Sequence, residues 1–495
     1  MLDHTNPSQH TLHRLQKFYT AGNSSILLDE ANNALQEYPH SMVLINFISA
    51  ALSQLGQYEE AISKLLEAIE LNPNFPDSYN NLGTTYLKIG DVKSAIGMFK
   101  AAIDKNPEYA IAHRNLAKAY NENNEHIKAI RILKEALELE PNHPDTCNAM
   151  GQSYFLIRDF PLAIDYFMKA IKQNPSFFEA YNNLGSVFTE LGNAESAAEC
   201  FIHSLKLAPN YLDAKLNLTE LLKTCKLTRY LENETVALDN HCKVIGENVQ
   251  SVADKSLISK YILSGLQSVQ LRAGNLNTPY SQLYRRNTLD LNCKRHTKIF
   301  HDQDVIPKFC FSCFKVQINI KTILDLIKLS ALFYDPNFKY DITRKCMIEL
   351  RPNVNGFYKG FLYCRDLNQA DEVSQYLSQK LSKEGVQFEL QVKRGCSEFS
   401  QKYRNYGEKI DGKTFSMKYP DNWKRTETKF DKKFNFVAKT VIPSLDNYCL
   451  SDFLIIQKWV DYAKGIGDPT ASAFASLEIQ YQDIYQIAKN RVALT

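Results

Sequence analysis

The sequence predicts an all-α helical repeat solenoid joined to an α+β domain, and three observations predict it. Proline recurs at Pro39, Pro73, Pro107, Pro141, Pro175 and Pro209, a 34-residue period held without slippage, which marks stacked two-helix units. Six of the eleven cysteines fall between residues 293 and 396, where Cys293-x-x-His296 stands thirteen residues ahead of Cys310-x-x-Cys313. Beyond that hinge the apolar period changes from helical to two, as strands require.

Composition narrows the class. The 495 residues suffice for several domains, and 44% hydrophobic with 23% charged residues is the balance of a globular chain. A net charge of +3 argues against a globally basic nucleic-acid binder. The start, MLDHTNPSQH, has no apolar signal region, and no run of about 18 apolar residues follows that would span a bilayer. A cytoplasmic protein is expected. Disulfides are rare in that compartment, so clustered thiols point to metal or redox chemistry. Cys147, Cys200, Cys225, Cys242 and Cys449 lie scattered in helical segments and read as small core residues.

Residues 7–225 carry about six units of two helical patterns each. One unit shows Tyr79, Leu82, Gly83 and Tyr86, then Ala95, Phe99 and Ala102. The next substitutes Leu116, Ala117, Tyr120, Ala129, Leu133 and Ala136, and the two after it Met150, Gly151, Tyr154, Ala163, Phe167 and Ala170, then Leu184, Gly185, Phe188, Ala197 and Phe201. Small residues mark close helix approach and large ones fill the gaps. These types at these offsets resemble the tetratricopeptide repeat (TPR) family. The resemblance implies a right-handed superhelix whose first helices line a concave, peptide-binding groove. The first unit, Leu12–Pro39, lacks the Gly and the aromatic, as capping repeats do.

Asn81, Asn115, Asn183 and Asn217 stand just before the consensus Leu, with Phe47 and Ala149 interrupting the series. They resemble the asparagine ladder of O-linked N-acetylglucosamine transferase repeats, which implies a grip on the backbone of an extended peptide. A carboxamide suits that task because it donates and accepts. No transferase catalytic domain follows, so the resemblance stops at the repeats. Asp77, Asp145, Glu179 and Asp213 recur near the starts of the first helices. They read either as an acidic strip or as favourable charge at helix N-termini.

Residues 226–290 read as capping helices and a linker, with a boundary loop from Gly274 through Tyr284–Asn287. Residues 291–400 give a strand over Lys315–Ile320, a helix over Thr322–Tyr334, strands over Cys346–Arg351 and Phe357–Cys364, a helix from Asp366 to Lys383 and a strand over Phe388–Lys393. The order β-α-β-β-α-β is the ferredoxin-like arrangement, here preceded by the Cys/His knuckle. Right-handed crossovers then bring Cys310, Cys313, Cys346, Cys364 and Cys396 to one edge of the sheet.

Three readings of those residues stay open. A zinc site formed by Cys293, His296, Cys310 and Cys313 has the paired-ligand spacing of a tetrahedral ion. Alternatively Cys310 and Cys313 join Cys346, Cys364 and Cys396 around zinc or an iron–sulfur cluster. The third reading has no metal and buried or redox-active thiols. His301 is a spare ligand, and histidine is absent after it, which disfavours histidine acid–base chemistry in the sheet. Strand Lys359–Cys364 partly resembles the RNP1 strand of RNA-recognition motifs, with Phe361 and Tyr363 facing outward but Gln317 where a stacking aromatic belongs.

Residues 401–495 form an aromatic and basic segment followed by helices. Tyr403, Tyr406, Tyr419 and Trp423 interleave with Lys402, Arg404, Lys413, Lys418, Lys424 and Arg425, a mixture suited to packing over the sheet, to nucleic acid or to an acidic protein surface. A helix capped by Ser451 and stopped by Gly465, and a last one over about 471–491, are expected to cover the second domain. The function expected is an intracellular interaction scaffold whose groove binds a peptide segment of a partner, fused to a zinc-stabilised domain. The opposed reading is an enzyme modifying peptides at the cysteine-rich edge, with Cys396 as candidate nucleophile. RNA binding through the sheet face is a third. The chain lacks a phosphate loop, a dinucleotide Gly-rich turn and a Ser-His-Asp pattern.

Overall fold

The computed structural model describes residues 7–229, 231–252, 254–285, 293–352, 354–407, 415–434 and 447–493. The chain divides into two compact units, residues 1–210 and 211–495. Among the described residues, no helix is long and apolar enough to cross a membrane.

Among the described residues, the first unit is twelve helices in six pairs: α1 (Gln9–Thr20), α2 (Ser24–Glu37), α3 (Met42–Gln54), α4 (Tyr58–Leu71), α5 (Pro76–Lys88), α6 (Val92–Lys105), α7 (Ala110–Glu122), α8 (His126–Leu139), α9 (Pro144–Leu156), α10 (Phe160–Gln173), α11 (Phe178–Glu190) and α12 (Ala194–Leu207). The periodic prolines up to Pro175 sit in the turns between pairs, where their fixed φ and missing N–H end one helix and set up the next. Within a pair, the turn needs one left-handed residue. Gly22, Gly56, Gly90 and Gly192 supply it, and Asn124 and Arg158 take the same place at φ 60° and 65°. Buried Ala95, Phe99, Ala102, Leu116 and Ala117 continue the core from one pair into the next.

The second unit opens with α13 (Leu212–Leu222), α14 (Glu234–Ser251) and α15 (Ile258–Arg272). Then follow β1 (Gln282–Arg285), α16 (Cys293–Gln303), β2 (Phe314–Ile320), α17 (Ile323–Tyr334), β3 (Arg344–Ile348), β4 (Tyr358–Cys364), α18 (Leu367–Lys383) and β5 (Phe388–Arg394). It ends with α19 (Ser397–Lys402), α20 (Asp421–Phe434), α21 (Leu450–Ile466) and α22 (Gln482–Ala493). The five strands form one sheet in the order β1-β3-β4-β2-β5, each neighbouring pair antiparallel. The edge strand β1 falls where a boundary loop was expected, because four half-polar residues carry too short an alternation to be read as a strand.

Period two sorts the sheet into two faces. Val316, Ile318, Cys346, Ile348, Tyr358, Leu362 and Cys364 point into the main core with Leu326, Leu329, Val373 and Leu377 of α17 and α18. Lys315, Gln317, Lys345, Lys359, Phe361, Tyr363 and Lys393 take the opposite face.

Helix α21 departs from expectation. It does not cover the unit; residues 450–463 are buried on every side, the burial of a central helix. Cys449, not Ser451, is its N-cap, in a box with Asp452, and Gly467 at φ 73° stops it while Gly465 stays helical. The last helix is shorter than expected, with a 3₁₀ turn at Pro469–Phe474 ahead of α22.

Candidate functional site

A small cleft at one end of the sheet is lined by Cys293, His296, Thr297, Phe309, Cys310, Cys313, Lys315, Tyr363, Gly395 and Cys396. Four local structures build it. Helix α16 carries Cys293 and His296 three residues apart, which sets them on one helix face. A 3₁₀ turn over Lys308–Phe311 folds the Cys-x-x-Cys segment, with Cys310 N donating to Pro307 O at 2.9 Å and Cys313 N to Cys310 O at 3.4 Å. Strand β2 starts at once and contributes Lys315. Strand β5 ends with Gly395 N donating to Cys313 O at 2.8 Å, after which Cys396 caps α19.

The thiols act on one another. Burial pushes Cys310 up, and the neighbouring Cys396, Cys313 and Cys293 push it further. Cys313 is pushed up to about 12 by burial and then by Cys396 and Cys293. His296 is 6% exposed, its ring stacked on Phe309 with centroids 5.2 Å apart. Among the described residues, no group of three or more His, Cys, Asp or Glu is set to hold a metal ion as the side chains stand. They share a cleft without forming a closed ligand shell.

Two of the expected thiols are elsewhere. Cys364 ends β4 opposite Phe314, at the expected sheet edge. Cys346 is the third residue of β3, opposite Gly360 and one pleat inward. Both side chains belong to the helix-covered core, whereas the cleft opens on the face of Lys315 and Tyr363. Strand order predicts the edge but not the face, and only residue parity separates them. His301 lies edge-on to Phe300 and does not line the cleft.

The aromatic residues of the 401–425 stretch pack behind the thiols. Phe300, Ile306, Phe311, Phe399 and Tyr406 form a satellite core with Tyr403, Tyr419 and Trp423 against it. Tyr406 donates its hydroxyl to Cys310 O at 2.5 Å. Arg394 bonds the carbonyls of Phe311 and Met417 and lies over the Phe311 and Phe415 rings. Arg295 of α16 clamps Asp431 of α20 through two 2.7 Å bonds.

On the face away from α17 and α18, where Gln317 and Lys359 are buried, Phe361 lies between two cations, with Lys315 Nζ 5.6 Å and Lys345 Nζ 5.4 Å from its ring centroid. Burial, then repulsion from Lys315, lowers Lys345 to about 8.

In the repeats, the ladder asparagines are half-buried and tied backward along the array. Asn81 donates to Asn46 at 2.7 Å, Asn115 to Asn80 at 2.8 Å and Asn183 to Asn148 at 3.0 Å. Where Ala149 breaks the series, the acceptor position of the preceding repeat is Arg114, which turns to Glu140 at 2.7 Å. Asn217 lies on α13 of the second unit. The pairing was not expected, though the adjacent Asn80-Asn81 and Asn182-Asn183 signal it. Of the acidic residues, Asp77 accepts from Tyr109 at 2.7 Å, and Glu179 is raised by burial and by Asp145.

TPR repeat models match residues 51–90, and tetratricopeptide repeat models match 80–144, 144–177 and 166–199. No curated protein matches the chain. Among solved structures, a thermophilic TPR protein of Thermus thermophilus is 22% identical over 37% of this chain and 99% of its own, with a TM-score of 0.34. YrrB, described as a TPR protein with an unusual peptide-binding site, is 21% identical over 37% of this chain and 95% of its own, with a TM-score of 0.29. The APC/C hetero-tetramer Cut9–Hcn1 is 16% identical over 55% of this chain and 48% of that one, with a TM-score of 0.40.

Proposed function

Residues 51–199 are tetratricopeptide repeats, and from that premise we propose that this interaction scaffold binds an extended peptide segment of a partner along the asparagine-bearing helices. The observation that carries it is the pinning of Asn81, Asn115 and Asn183. Each spends one N–H on the preceding repeat, and Asn81 also accepts from Asn80 at 3.5 Å, which fixes the carboxamide while its chemistry retains a second N–H and a further lone pair on the oxygen. Fixed donors and acceptors bind a backbone without first losing rotamer freedom. The test is display selection of random peptides on the full chain, with enriched peptides measured by fluorescence polarisation. Asn81→Ala with Asn115→Ala should weaken binding at least tenfold, a loss of about 1.4 kcal/mol; unchanged affinity refutes the ladder.

The second unit we read as a ferredoxin-like domain stabilised by zinc. Support for the fold is the order β3-β4-β2-β5, with α17 after β2 and α18 after β4. Support for zinc is the convergence of Cys293, His296, Cys310, Cys313 and Cys396 on one cleft, a set of sulfur and imidazole donors of the kind zinc takes. Bound there, zinc would supply a structural cross-link between α16, the knuckle and the sheet end. Elemental analysis of anaerobically purified protein should give one zinc per chain; absence of metal refutes this reading, and iron with visible absorption would replace zinc by a cluster.

A second reading rests on Phe361 between Lys315 and Lys345, an arrangement suited to a stacked base beside phosphate. Salt-sensitive binding of single-stranded RNA, lost in Phe361→Ala with Tyr363→Ala, would establish it. The enzyme reading, with Cys396 as its candidate nucleophile, gains no comparable observation.

A further inference from the structure

We infer that the metal set is four thiols, Cys293, Cys310, Cys313 and Cys396, with His296 outside it as a wall of the cleft. This deepens the zinc reading and rests on it.

The backbones of three of these thiols are locked together. Phe314 and Arg394 are register partners at the ends of β2 and β5. The next bond, Gly395 N to Cys313 O at 2.8 Å, extends the pairing, so Cys313 and Cys396 emerge side by side from adjacent strands. Gly395 then turns at φ 55°, and a Cβ there would meet Tyr406 Oη at 2.0 Å. That same hydroxyl holds Cys310 O. One tyrosine thus fixes both the knuckle and the turn that delivers Cys396. Cys346 and Cys364 stand outside this frame, their side chains in the helix-covered core.

The fourth ligand comes from α16, where the choice is between Cys293 and His296. The imidazole is buried against Phe309 in a ring stack, a packed position. Cys293 is exposed and lines the cleft, so its thiol is not committed to a packed core. Charge agrees. Four thiolates around Zn²⁺ carry a net charge of −2, and Lys315 lines the cleft to offset part of it. On binding, four S–H bonds are replaced by four Zn–S bonds and four protons go to solvent.

The test uses full-length protein stripped by chelator and reloaded with zinc, its affinity read by competition with a chelating dye. Cys396→Ala should lose about 100-fold or more in affinity, as removal of one thiolate from a structural site does. His296→Gln should stay within about threefold of the unaltered chain. Because Cys396→Ala also alters the start of α19, alkylation of the unaltered chain with and without zinc, read by mass spectrometry, gives a second measure: zinc should protect Cys293, Cys310, Cys313 and Cys396 and leave Cys346 and Cys364 unchanged. Metal lost in His296→Gln, or Cys396 alkylated equally in both states, overturns the four-thiol set while leaving zinc in place. No zinc in the unaltered chain overturns the reading beneath it.

Discussion

Gly83 and Phe99 touch so closely that a Cβ on Gly83 would stand 2.7 Å from the phenyl ring. The contact repeats with Gly151 under Phe167 and Gly185 under Phe201. In the one intervening repeat the pair becomes Ala117 and Leu133. The methyl gained on one helix is matched by atoms removed from the other, so the volume at the crossing is held. Gly83→Ala alone should overpack the site and cost about 1–3 kcal/mol. Adding Phe99→Leu should recover much of that loss, giving a favourable coupling of about 1–2 kcal/mol in a double-mutant cycle read by circular dichroism during urea unfolding. Additive losses would show that the two positions are independent.

Arg158 occupies the left-handed turn that Gly56, Gly90 and Gly192 fill elsewhere. Its Cβ costs about 1–2 kcal/mol at positive φ, while its exposed ion pair with Glu190 at 3.1 Å returns less than about 1 kcal/mol. Arg158→Gly should therefore raise the repeat unit's melting temperature. A drop would show that the cation over Phe160 outweighs the backbone strain.

Glu349 is 1% exposed, and hydrogen bonds from Arg351 and Lys359 prevail over burial to hold its carboxyl at about 2. Its folded pKa lies below its unfolded one of about 4.3, so its stabilisation is full above the unfolded value and fades as pH falls toward 2. Both tryptophans, Trp423 and Trp459, lie in the second unit, so indole fluorescence reads that unit alone. Glu349→Gln should cost about 3 kcal/mol at pH 7, and the gap to the unaltered chain should close by pH 2. A gap constant across that window would show that the carboxylate is not preferentially ionised in the fold.

Tyr406→Phe removes the bond to Cys310 O and should destabilise the second unit by about 1–2 kcal/mol. It should also speed alkylation of Cys310, because the knuckle loses its brace. Unchanged kinetics would mean that the aromatic cluster alone holds the turn.

The repeats were legible because every unit restates the same local code, and the sheet because period two survives in β2, β4 and β5. What could not be read were features whose cause lies far along the chain. Helix α21 was expected to cover the second domain from outside, and it carries Asp452, Lys458, Asp461 and Lys464, yet the first three of these are buried. Asp452 is held locally, accepting from Cys449 N at 3.1 Å, but the partners of the other two are remote: Asp461 accepts from Tyr481 N at 3.0 Å, and Lys458 reaches Thr278 O. A charge matched by a distant backbone group looks, in sequence, like a charge facing water. The cysteines failed differently. Their edge followed from strand order, but the face followed from parity, and that put Cys346 and Cys364 in the core and Cys396 in the cleft.

The central position of α21 also sets a timetable for synthesis. Translation at about 5–20 residues per second delivers the repeats first, and each can stack on its predecessor as it emerges. The second unit has no such option. Its sheet and flanking helices begin at residue 211, but the helix they enclose is residues 450–466, so for roughly 10–50 s a growing chain exposes apolar faces that have nothing to close on. Any factor that shelters nascent chains has its longest engagement there, and a ribosome stalled before Leu450 would release a product with finished repeats and a second unit open for degradation.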